Sequence, residues 1–132
     1  QAPGCIAEYL AMVDSLVVES NYDPDMLAAT PRRPWPLKQR IASAHGHPSN
    51  EQACHLLRRI AHGALKNVLL AHLSAESNSP ALAESLMRDT LHDMGLASTS
   101  LFWASQDSCL PWIRVCGICL FSCSSRHVPL HL

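Results

Sequence analysis

The chain has 132 residues, is 48% apolar and carries a net charge of −1, which suits one domain, or part of one, with a modest core. With a pI near 6.8 it has no global pull toward nucleic acid or an anionic membrane, so a partner of either kind must be held by a local patch. The longest apolar run, Val115 to Phe121, is far short of the roughly 18 to 20 residues that cross a bilayer, and no basic-then-apolar leader opens the chain. The expectation is a soluble, cytoplasmic protein with no membrane partner.

Apolar spacing at Ile6, Leu10 and Val13 predicts a helix over 4–13, and Leu16-Val17-Val18 predicts a buried strand over 15–19. Pro24 suits a first helical position, giving a short helix to Ala28. Pro31-Arg32-Arg33-Pro34-Trp35-Pro36 reads as a surface connection, because three prolines remove donors and fix φ. A helical turn or two over Leu37 to Ala42 leads into the polar loop His45 to Asn50. Ser49 with Gln52 forms a capping-box pattern, and Leu56, Leu57, Ile60 and Ala61 make an apolar stripe that stops at Gly63, so a helix is expected over 50–62. A strand over 66–71 follows, then a polar loop. Ser79-Pro80 opens a helix with Leu82, Leu86, Met87 and Met94 on one side and Gly95 as its stop. Leu101 to Ala104 reads as a third strand. Strands alternating with helices favour an α/β fold with a mainly parallel sheet.

Two histidines are offered from loops, His47 before a helix and His72 as the chain leaves a strand, which is where α/β proteins keep their chemistry. The motifs are Glu19-Ser20-Asn21-x-Asp23, then Trp35-Pro36-Leu37-Lys38-x-Arg40-Ile41, then Gly46-His47-x-Ser49-Asn50, then Leu70-Ala71-His72-Leu73-Ser74 with Asn78-Ser79-Pro80. As an ordered set they resemble the C-terminal half of a metallo-β-lactamase-fold metallohydrolase, in the YycJ/WalJ-like branch related to ribonuclease Z-type enzymes. The resemblance covers residues 1–106. It implies a partial αββα sandwich, with 107–132 left as an unmatched, Cys-rich tail.

The resemblance further implies metal-assisted hydrolysis of a phosphodiester, of nucleic-acid type. His72 stands where the family has its last metal-ligand histidine, serving one ion of a two-ion centre of zinc or manganese. Glu19 and His47 match a dyad in which the carboxylate orients the imidazole and the imidazole protonates the leaving alkoxide. Read without the family, His72 is a hydrogen-bonded structural residue. Glu19, Ser20 or Asn21 then caps the helix near Pro24.

The departures are as informative. No His-x-His-x-Asp-His motif occurs, Ala2 falls where a bridging aspartate belongs, Pro48 replaces a leucine after His47, and Tyr22 replaces a histidine after Asn21. One ligand does not make a binuclear centre. The chain is therefore expected to be an incomplete hydrolase, not a competent enzyme by itself, whose partner is a complementary N-terminal half or a second copy. The alternative is a non-catalytic remnant or association module, since half of a sandwich leaves one apolar sheet face uncovered.

Two features stay apart from these motifs. Between Met26 and Asn50 stand four cations, Arg32, Arg33, Lys38 and Arg40, and no acid; this is either a phosphate-tracking segment beside Trp35 or, as preferred, a solvated face. Cys109, Cys116, Cys119 and Cys123 have a spacing compatible with a thiolate metal site. Their apolar flanks favour an extension without such a site.

Overall fold

Three short strands, β1 (Ser15–Glu19), β2 (Asn67–Ala71) and β3 (Ser100–Trp103), lie side by side as a parallel sheet in the order β1-β2-β3. They belong to a computed structural model that describes residue 10, residues 12–113 and residue 115. Period-2 alternation sends Leu16, Val18, Val68, Leu70 and Leu101 to one face, and the register aligns them as Leu16↔Val68↔Leu101 and Val18↔Leu70.

Between β1 and β2 run three helices, α1 (Pro24–Ala29), α2 (Trp35–Ile41) and α3 (Asn50–Ile60); α4 (Pro80–Asp93) joins β2 to β3. Parallel neighbours need a crossover, and crossovers are right-handed. Because the sheet grows in one direction, both crossovers must fall on the same face. Accordingly Ala53, Cys54, Leu57 and Ile60 of α3 and Ala83, Met87 and Leu91 of α4 form one core with the inward strand residues. On the other face Val17 is 67% exposed, in register with the half-buried Leu69 and Phe102. Tyr22, Leu27 and Ile41, with Leu37, make a smaller cluster that holds α1 and α2 beside the end of β1.

The α/β class and the parallel sheet agree with the sequence reading, while several details differ. α2 begins at Trp35 and includes Pro36, inside the stretch expected to be irregular. The first N–H groups of a helix have no intrahelical acceptor, so proline costs little there. α3 stops at Ile60 because Ala61 is already extended, and Gly63 plays no part in ending it. On α4 the buried stripe is Ala83, Met87, Thr90 and Leu91, which leaves Leu82 outward at 48% exposure. Gly95 does end that helix, in the left-handed region at φ 72.

The helix expected over 4–13 and the cysteines at 116, 119 and 123 lie outside the described residues. Cys109 is exposed and free, and Cys54 is buried and free. Burial above all pushes the Cys54 thiol up, which makes it a packing group and a poor nucleophile. No helix among the described residues is long and apolar enough to cross a membrane.

Candidate functional site

Glu19 ends β1 and is the register partner of Ala71, the last residue of β2. Glu19 and His72, one residue beyond β2, therefore emerge together at the C-terminal end of the sheet. His72 has φ 60, the one non-glycine residue in the left-handed region among the described residues. Such a backbone costs about 1–3 kcal/mol and persists only where neighbours hold it.

Asn21 is the neighbour that does so. Its side-chain Nδ2 donates to the His72 carbonyl at 2.7 Å, and its own carbonyl accepts from Ser74 N–H at 2.8 Å. On its other side Asn21 N–H donates to the Pro48 carbonyl at 2.9 Å, and Asn50 N–H donates to the Tyr22 carbonyl at 2.9 Å. These two bonds make a short parallel bridge between Tyr22 and Ser49. The bridge brings the His47 loop, far away in sequence, against the chain leaving β1. One asparagine thus ties together the segments that carry all three candidate residues.

His47 is fixed from below by Gly46. The loop docks on the end of α2, with His47 N–H donating to the Ile41 carbonyl at 3.0 Å and Gly46 N–H to that of Ser43 at 2.9 Å. A Cβ at Gly46 would lie 2.0 Å from the Ile41 carbonyl oxygen and 2.4 Å from that of Arg40. Both obstacles are backbone and cannot rotate away. Gly46→Ala is therefore expected to displace the loop, at a cost of about 1–3 kcal/mol, and to part His47 from Glu19. A thermal melt together with the His47 ring signals in a proton–nitrogen spectrum checks this; unchanged ring signals would count against it.

The three side chains meet on one oxygen. Glu19 Oε1 is 2.7 Å from His47 Nδ1 and 2.5 Å from His72 Nδ1, and the two rings meet edge to face with centroids 4.8 Å apart. Glu19 does not cap α1; Asp23 does, accepting from Met26 N–H at 2.9 Å. With Nδ1 donating to the carboxylate, each neutral ring presents its Nε2 lone pair outward, to an ion or to a proton. Both rings are open to solvent, His72 at 62% and His47 at 43%.

One carboxylate oxygen and two imidazole nitrogens, all within 4.8 Å of one another, suit a single divalent ion of the zinc type, which takes three or four such donors. Two ions need more donors than these. Tyr22, packed behind the loop, keeps its proton, because burial and then the Glu51 carboxylate push its phenol up.

Beyond the three, Asn21, Arg33, Arg40 and His45 line the same cleft of about 470 Å³ as His47 and His72. The sequence reading assigned nothing to His45 and gave Asn21 no role but helix capping. It favoured a solvated face for the arginines. The acid-free run of cations was the signal that pointed here.

No family model matches the chain, and no solved structure matches it. Among curated proteins it is 35% identical over 89 residues to the exodeoxyribonuclease YycJ of Bacillus anthracis, covering 67% of this chain and 33% of that protein. It is 34% identical over 105 residues to the exodeoxyribonuclease WalJ of Streptococcus pneumoniae, covering 77% of this chain and 39% of that protein. The chain spans little more than a third of the length of the curated relatives it matches.

Proposed function

We propose that this chain is part of a metal-dependent nuclease of the metallo-β-lactamase fold, corresponding to a C-terminal portion of it, acting on phosphodiesters of DNA. The observation that carries the reading is the meeting of Glu19, His47 and His72 on one carboxylate oxygen at the C-terminal end of a parallel sheet. Two further facts support it: the matched relatives are named exodeoxyribonucleases, and an apolar residue, Val17, is exposed on the sheet face opposite the helices, as half of a two-sheet sandwich would leave it.

In this reading His72 would hold an ion, and its Nδ1 contact with Glu19 would fix the tautomer and the ring direction. His47, oriented by the same carboxylate, delivers a proton to the leaving oxygen of the cleaved ester. Zinc or manganese, when bound, would supply charge neutralisation at the phosphate and a more acidic water. The remaining donors of a two-ion centre come from a complementary N-terminal portion or from a second copy, so the chain by itself is inactive. A second reading, a non-catalytic association module, is favoured by the exposed Val17 and by a donor cluster that, among the described residues, suffices for one ion.

Titration with Zn²⁺ or Mn²⁺, read by calorimetry and elemental analysis, tests the assignment. The full chain should take up at most one ion, weakly; His72→Ala should abolish uptake and His47→Ala should largely keep it. Uptake that survives His72→Ala would refute the ligand role.

A further inference from the structure

Among the described residues no acidic side chain lines the cleft that ends at the two histidines, although Glu19 bonds to both imidazoles and Glu76 to Arg33 beside it. Its charged and titratable lining consists of Arg33, Arg40, His45, His47 and His72, with Asn21 and backbone-rich turns between them. A volume of about 470 Å³ lies within the range of small-ligand pockets, enough for a short piece of one strand. Arginines on such a wall attract anions to the extent that neighbouring carboxylates leave them free, and a planar guanidinium matches two phosphate oxygens at once.

The two arginines differ in one respect. Arg33 is held by Glu76, with its Nε donating to Glu76 Oε2 at 3.1 Å, and Arg32 reaches the other oxygen of Glu76 at 4.0 Å. Arg40 is exposed, and its carbonyl takes the Ser43 hydroxyl and so helps to anchor the turn before Gly46.

We propose that Arg33 and Arg40 are a phosphate-binding wall that leads a single DNA strand to the His47–His72 end of the cleft, with Glu76 competing against the strand for Arg33. That the ligand is DNA rests on the nuclease reading; that the wall takes phosphate oxyanions rests on its charge alone. A phosphate arriving at Arg33 displaces a half-exposed carboxylate, so the latch lowers affinity for every anion and prevents none from binding. Removing Glu76 should strengthen binding, an outcome that misfolding cannot imitate.

The test is fluorescence anisotropy of a labelled single-stranded oligothymidylate on the full chain, in EDTA, over about 50 to 200 mM salt. Arg33→Gln/Arg40→Gln should weaken binding about tenfold and reduce the salt slope by about 1.4, since each single-strand phosphate contact accounts for about 0.7. Glu76→Gln should tighten binding severalfold. Arg88→Gln, which removes a cation paired with Glu84 on α4, should change it less than twofold.

The wall is refuted if the double variant matches Arg88→Gln, or if Glu76→Gln binds no more tightly than the parent. Inorganic phosphate separates the two sources of the oxyanion. Arginine-dependent binding of inorganic phosphate, with no arginine-dependent binding of the strand, would assign the wall to free phosphate and overturn the strand. Strand binding that depends on both arginines, without cleavage when metal is supplied to an assembled protein, would remove the nuclease reading and leave the wall intact. Cleavage indifferent to both arginines would do the reverse.

Discussion

Asn78→Leu is expected to lower the stability of the folded chain by about 3 kcal/mol, because it strands several buried polar groups at once. The Asn78 Nδ2 donates to the Ser20 carbonyl at 2.9 Å and to Asn50 Oδ1 at 2.8 Å. In return Asn50 Nδ2 donates to Asn78 Oδ1 at 2.9 Å, and Ser79 N–H donates to the same oxygen at 2.8 Å. Ser20 Oγ completes the set on Asn50 Oδ1 at 2.7 Å. Asn50 and Asn78 are 2% and 5% exposed, so water cannot replace what is lost.

The pair also locks function-bearing segments, since Ser20 follows Glu19 and Asn50 closes the His47 loop. Asn50→Leu should cost a similar amount. The double variant should cost clearly less than the two single variants together, because the amides are each other's partners. Urea denaturation gives these values from the midpoints; a loss below about 1 kcal/mol for Asn78→Leu would show that the pair is not the tie described.

Much of the scaffold was legible from local rules. Leu16-Val17-Val18 yields a strand with the expected bounds, and Ser49 and Gln52 form both bonds of their capping box, at 3.2 and 2.9 Å. The misreadings at Pro36, Gly63 and Leu82 share one cause: a residue's effect depends on its position within a helical turn, and an error of one or two residues changes that position. The site was legible only through the ordered motifs. Glu19 is separated from His47 by 28 positions and from His72 by 53, and no periodicity links residues so far apart. Their meeting depends on the pairing of Glu19 with Ala71 and on the Tyr22–Ser49 bridge.

Asn50 and Asn78 stood in the ordered motifs without a role of their own, because a turn asparagine and a buried amide partner have the same letter. Arg33 and Arg40 belong to an acid-free run of cations that reads from sequence as a solvated face, and Arg40 is indeed exposed. The direction of that run was not legible, since that depends on how α2 packs on Tyr22 and Leu27.

On the proposed nuclease reading, His47→Ala should slow DNA hydrolysis by about 10²- to 10⁴-fold, the usual contribution of a positioned general acid, in an assembly with a complete set of metal donors. The same variant should leave metal content nearly unchanged, because the ligand nitrogen assigned here belongs to His72. Glu19→Gln is the more searching substitution. It keeps the shape and one acceptor oxygen but removes the charge that both Nδ1 atoms share at 2.7 and 2.5 Å, so it should impair turnover and metal retention together, unlike His47→Ala. If His47→Ala instead lost metal and turnover in equal proportion, His47 would be a ligand, and the site would be a three-donor ion site with no proton donor of its own.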